Sequence, residues 1–133
     1  MVEILLDTNF LMSAVRFRVG FEQLKEFGRE FMVLALTVQE LEKISGRRGR
    51  DAVCARIALQ LIKNQKIKII KTAERNTDTA IVRFAEKQVR SASKMRNGLG
   101  CMVATNDGKL IKRLENKGIK IIRLRQKKYL VIE

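Results

Sequence analysis

The sequence predicts an α/β domain built on a mainly parallel sheet of about five strands, covered by helices on both faces. Three observations carry this. Short apolar runs of strand length alternate with segments whose apolar residues recur at helical spacing. The runs are nearly continuous rather than alternating, as in strands buried on both sides. Cap and turn residues stand at their boundaries. With no linker or low-complexity tract, residues 1–133 are read as a single domain.

The elements follow in order. Val2–Leu6 is the first strand, stopped by Asp7; Thr8 and Asn9 suit a strand-to-helix turn and a helix cap. Phe10, Leu11, Ala14 and Val15 mark a helix that Gly20 ends or bends, and Phe21, Leu24 and Phe27 a short amphipathic segment closed near Gly28. Phe31–Leu36 is a strand. Thr37 opens a helix with Val38, Leu41 and Ile44 on one face, stopping at Gly46. After the basic turn Arg47-Arg48-Gly49-Arg50 a long helix carries Val53, Ile57 and Leu61, with Ala58 and Ile62, as its core stripe. Ile67–Ile70 is the next strand, and a helix runs from about Thr77 to Ser91 with Ile81, Phe84, Ala85 and Val89 inward. Ser91–Gly100 reads as a basic, flexible loop. Cys101–Ala104 is a strand, Thr105–Asp107 a turn, and Leu110, Ile111 and Leu114 mark a helix closed by Gly118. Ile119–Leu124 is the fifth strand and Tyr129–Ile132 a short terminal one.

Composition narrows the chemistry. Lys and Arg number 28 against 14 Asp and Glu, giving a net charge of +14. Such an excess points to a polyanionic partner, nucleic acid before an anionic membrane surface. The competing account, charge kept for solubility or heat resistance, would tend to balance both signs. The chain has no histidine, which removes imidazole acid–base chemistry, Ser-His and Cys-His arrangements and the usual zinc sites. Cys54 and Cys101 form no CxxC pair and read as buried free thiols. The N-terminal apolar run is too short for a signal peptide or a membrane span, so a cytoplasmic protein is expected, with no membrane partner.

Four acids occupy one kind of position, just past a strand or in the first turn of a helix: Asp7, Glu40, Asp78 and Asp107. In a parallel sheet such positions share one edge, so these residues can converge there. Converging carboxylates repel, and a hard cation, Mg²⁺ or Mn²⁺, holds oxygen ligands together. Such an ion assists phosphodiester cleavage by activating water and steadying the leaving oxygen. Each acid also has a plainer reading. Glu40 closes a capping box with Thr37, while Asp78 and Asp107 suit the positive end of a helix dipole. Asp7 is harder to explain that way, because Thr8 or Asn9 would serve as the cap.

Leu5-Leu6-Asp7-Thr8-Asn9-Phe10-Leu11 resembles the opening motif of PIN-domain nucleases. Glu40-Leu41-Glu42 looks like their second acidic motif, Asp78-Thr79-Ala80-Ile81-Val82 the third, and Val103-Ala104-Thr105-Asn106-Asp107-Gly108-Lys109-Leu110 closely the fourth. Gly118–Arg125 is similar to the strand that closes the fold, so the resemblance spans essentially the whole chain in order. It implies a three-layer α/β/α sandwich and a metal-dependent endoribonuclease. It also implies Asp7, Glu40, Asp78 and Asp107 as catalytic metal ligands, with Thr105 holding the site through its hydroxyl. Many members have two adjacent acids in the third motif where this chain has Asp78-Thr79, which leaves the number of metals open. The short basic chain and Lys94-Met95-Arg96-Asn97 look more like the ribosomal-RNA-processing branch than VapC-type toxins.

RNA is the expected partner. Arg47, Arg48 and Arg50, with Lys94 and Arg96 on the later loop, are the candidate RNA-binding residues, flanked by Lys87 and Arg90. Six Phe and one Tyr stand mostly at core spacings, so backbone and shape recognition is expected rather than base stacking. Arg123–Lys128 is a further candidate contact for RNA or protein. Two other roles stay open: a silent RNA-binding scaffold among ribosome-assembly proteins, and a VapC-like toxin ribonuclease with a small antitoxin. Oligomeric state is open as well, a homodimer being common among small α/β domains.

Overall fold

The computed structural model describes residues 3–93 and 100–133. Strands β1 (Glu3–Leu6), β2 (Glu30–Leu34), β3 (Lys68–Ile70), β4 (Cys101–Ala104), β5 (Ile121–Arg125) and β6 (Tyr129–Ile132) form one sheet. Their spatial order is β3-β2-β1-β4-β5-β6, parallel throughout except for the antiparallel β5–β6 pair. Helices α1 (Thr8–Arg16), α2 (Phe21–Leu24), α3 (Ala35–Ser45), α4 (Arg50–Asn64), α5 (Thr77–Ser93) and α6 (Gly108–Asn116) fill the connections. This is the expected three-layer sandwich, with the terminal hairpin strand as the sixth member of the sheet.

The pleat sorts the core into two layers. Ile4, Leu6, Val33, Met102, Ala104 and Ile122 point to one face, where they meet Phe10 and Leu11 of α1, Leu41 of α3, and Ala55, Ala58 and Ile62 of α4. Leu5, Met32, Leu34, Cys101, Val103 and Ile121 point to the other, against Ala80, Ile81 and Ala85 of α5 and Leu110, Ile111 and Leu114 of α6. Neighbouring residues of one strand thus serve opposite layers, as the two-residue side-chain period requires. That is why the strands read as unbroken apolar runs. Both cysteines are buried and free. Among the described residues no helix is long and apolar enough to cross a membrane.

Three expectations need correction. The Phe31–Leu36 run is a strand only to Leu34; Ala35 and Leu36 already belong to α3, because both are strong helix formers. Thr37 therefore lies inside the helix rather than at its cap. On α4 the core stripe is Ala52, Cys54, Ala55, Ala58 and Ile62, while Val53 and Ile57 are 48% and 41% exposed. Helix α4 packs against both α1 and α3, and small side chains permit that close approach. Helix α5 continues through Ser93, so the start of the expected loop is helical.

Topology places the edge that matters. From β1 the chain steps outward to β2 and β3, then returns to lay β4 on the other side of β1. The order of strands reverses between β1 and β4, and a crevice opens there at their carboxyl ends. Leu6 pairs with Ala104 at the last step of this ladder, and the Asp7 amide bonds the Ala104 carbonyl. Asp7 and Thr105 thus leave the sheet side by side.

Candidate active site

Asp7 is the residue around which the crevice is built. It is the N-cap of α1, in extended backbone geometry, and its Oδ1 accepts the Thr8 amide at 2.8 Å. The other oxygen, Oδ2, accepts the Thr105 hydroxyl at 2.8 Å across the β1–β4 junction. The sequence assigned the cap to Thr8 or Asn9; the carboxylate itself takes that role. Only 4% of Asp7 is exposed. Burial outweighs the two hydrogen bonds, and the charges of Asp78 and Glu40 add to it, raising the carboxyl to about 6.

Thr105 is a hub. Fully buried, it donates to Asp7 and accepts the Asp107 amide at 3.1 Å. Asp107 caps α6, its Oδ1 receiving the amides of Lys109 and Leu110 at 2.9 and 3.3 Å. The helix-start reading of Asp107 is thus observed, alongside its place at the crevice. Between them Asn106 exchanges two bonds with the backbone of Leu124, 3.0 and 2.9 Å long, locking this turn to β5.

Glu40 does not form a capping box. Its Oε1 accepts the Thr77 hydroxyl at 2.7 Å and the Thr8 hydroxyl at 3.3 Å, joining α3 to α5 and α1 through one oxygen. The Thr37 hydroxyl, fully buried on the same helix, has no hydrogen-bond partner among the described residues. Asp78 stands in the first turn of α5. Burial raises its carboxyl first, then the charges of Asp107 and Glu40, with the Arg113 guanidinium opposing. Arg113 also donates to Thr79 at 3.3 Å.

The four sequence-predicted acids therefore come from four separate segments to one edge, close enough that Asp78 and Glu40 raise Asp7, and Asp107 and Glu40 raise Asp78. Among the described residues no three acidic, histidine or cysteine side chains stand close enough to enclose a metal ion by themselves. The donor set is nonetheless all oxygen, which suits Mg²⁺ or Mn²⁺. Mg²⁺ commonly takes one or two carboxylates and completes its shell with water and substrate phosphate. A cation would also relieve the burial and repulsion carried by Asp7.

Beside the carboxylates lies a groove of about 420 Å³, lined by Asn9, Ser13, Arg16, Arg47, Asn106 and Asp107 among others. Of the candidate RNA-binding residues, Arg47 faces this groove. Arg48 in the α3–α4 turn and Arg50 at the start of α4 are exposed near it; Gly49 between them makes the turn with a φ of 102°. Lys94 and Arg96 fall outside the described residues. Sequence reasoning missed Thr8, Thr77, Arg16 and Arg113. Thr77 begins a helix next to Asp78, a position that signals a cap and gives no hint of a carboxylate clamp.

The chain is 32% identical to Ribonuclease VapC9 of Archaeoglobus fulgidus over 96% of its own length and 86% of that protein. It is 29% identical to Ribonuclease VapC4 of Methanocaldococcus jannaschii, covering 99% and 97% respectively. In fold it is similar to VapBC2 from Rickettsia felis, solved bound to a DNA fragment from their promoter. That match has a TM-score of 0.53 and 16% identity, over 93% of this chain and 99% of that one. The lean toward a ribosomal-RNA-processing branch finds no support, since both sequence relatives are VapC ribonucleases. The family model described as a PIN-like domain matches residues 4–127, and the chain belongs to the PIN-like domain family.

Proposed function

We propose that this chain is a VapC-like endoribonuclease that depends on Mg²⁺ or Mn²⁺. The observation that carries the reading is the convergence of Asp7, Glu40, Asp78 and Asp107 at the strand-order reversal, with Asp7 raised to about 6. The names of its sequence relatives support the same activity, and the net charge of +14 suits a polyanionic substrate.

The ion would be held by one or two of these four acids, with water and substrate phosphate completing its shell, and it would supply positive charge at the scissile phosphate and a more acidic water. The chain's own residues do the arranging. The Thr8 amide and Thr105 hydroxyl fix both oxygens of Asp7. The Thr77 and Thr8 hydroxyls hold Glu40 by Oε1. Arg113 sits at Thr79, where a second acid would stand in many family members; a protein cation in that place supports a single-ion centre. The partner we propose, beyond RNA, is a small antitoxin-like chain rather than ribosome-assembly proteins.

Cleavage of labelled RNA tests this. Wild type should cut with Mn²⁺ or Mg²⁺ and stop with EDTA, and Asp7→Asn should lose at least a hundredfold in rate, in line with loss of a positioned charge at a reacting centre. Equal cutting by Asp7→Asn would remove the carboxylates from the chemistry. Salt-sensitive RNA binding with no cutting by either protein would favour the silent scaffold.

A further inference from the structure

We infer that the groove beside the carboxylates seats the phosphodiester backbone of the RNA next to the cut, with Arg16 and Arg47 as its cations and Asp51 as the anion that occupies Arg16 in the absence of RNA. This rests on the nuclease reading and adds to it a path for the strand.

Asn9, Ser13 and Arg16 are spaced i, i+4 and i+7 on α1, so one stripe of the helix forms a wall of the groove. Asn9 is two residues from Asp7, and Arg16 lies roughly 10 Å further along the helix axis. The stripe thus leads away from the acids. Arg47 of the α3–α4 turn and Asp51 of α4 also line the groove, while Asn106 and Asp107 line it beside the acids. Amides and a hydroxyl near the acids, with guanidiniums farther off, suit sugar and phosphate oxygens; Met12, Ile44 and Cys54 also line the groove, but among the described residues lining it none is aromatic, so it offers no ring for a base to stack on.

Arg16 is held across the groove by Asp51, at 2.7 Å between Nη2 and Oδ1. Both side chains are well exposed, at 44% and 67%, so the pair is screened and adds little to stability. A phosphate offers the arginine fork a stronger, two-pronged acceptor. The strand can therefore take Arg16 from Asp51. The alternative is that the pair merely ties α1 to α4.

Binding of a short fluorescein-labelled single-stranded RNA, followed by anisotropy in EDTA over a KCl series, separates the two. Arg16→Gln and Arg47→Gln should each weaken binding about three- to tenfold and reduce the log–log salt slope by about 0.7. Asp51→Asn should tighten binding about two- to threefold, and that gain should vanish in Arg16→Gln/Asp51→Asn. Glu115→Gln, an equal change of charge on an exposed part of α6, should have a smaller effect. Arg16→Lys keeps an ion pair with Asp51 while losing the fork, and should fall between wild type and Arg16→Gln. An unchanged slope in both arginine variants, or a gain from Asp51→Asn that survives without Arg16 or is matched by Glu115→Gln, would overturn the proposal. If Asp7→Asn abolishes cleavage while Arg16→Gln and Arg47→Gln bind as wild type does, the groove assignment alone fails.

Discussion

At the scale of the residue, Asp7 shows what a buried carboxylate costs its host. Its folded carboxyl is raised to about 6 from an ordinary 3.8, so the folded protein holds that proton more tightly than the unfolded chain does. The linked stability is fully present below about pH 4 and is lost as pH rises through about 6. At pH 7 the ionised, buried group therefore destabilises the metal-free fold, by about 3 kcal/mol if the full shift is converted. Asp7→Asn removes the charge and keeps an acceptor for the Thr8 amide, although the Thr105 hydroxyl loses its carboxylate. In EDTA at pH 7 the variant should be the more stable protein by about 1–2 kcal/mol, with the advantage gone near pH 4. Melting both proteins across that range is the check; a variant less stable at neutral pH would mean that burial does not govern this carboxyl. The sequence displayed Asp7 as an unexplained acid at a strand end, and the structure supplies the reason: it is cap, hydrogen-bond acceptor and buried charge together.

At the scale of the element, the strands were readable because each apolar run had to satisfy two layers at once, leaving no polar interruptions in Ile4–Leu6 or Cys101–Ala104. Helix faces were less readable. Helix α4 turns Ala52, Ala55 and Ala58 inward and leaves Val53 and Ile57 out; ranking by side-chain size selects the wrong face wherever helices need to approach closely. Helix α3 misled for another reason. Thr37-Val38-Gln39-Glu40 has the letters of a capping box, yet two preceding residues extend the helix and leave the Thr37 hydroxyl buried without a partner among the described residues. The two readings predict opposite effects for Thr37→Val. A cap would lose about 1 kcal/mol. An orphaned hydroxyl, replaced by a methyl of similar shape, should instead gain about 1 kcal/mol, or about 3–5 °C in melting temperature. A lowered melting temperature would show that the hydroxyl is bonded after all.

At the scale of the whole molecule, a cationic body surrounds an anionic centre. The net charge is +14, yet Asp7 is raised by burial and by the charges of Asp78 and Glu40, and Asp78 by burial and those of Asp107 and Glu40; a site-bound cation would relieve both without disturbing the rest of the surface. Folding and metal binding should then be coupled, because the unfolded chain does not bring the cap of α1, residues of α3 and α5, and the turn before α6 together. Mn²⁺ at a hundredfold excess over its dissociation constant would contribute about 2.7 kcal/mol, a rise in melting temperature on the order of 10 °C for a domain this size. Screening of the positive surface by salt also stabilises such a protein, so KCl at matched ionic strength is the necessary comparison. The rise should saturate with Mn²⁺, reverse with EDTA, exceed that of the KCl control, and be largely lost in Asp7→Asn and in Asp78→Asn. A response no larger than that of KCl, or one that survives both substitutions, would show that the four acids share an edge without sharing an ion.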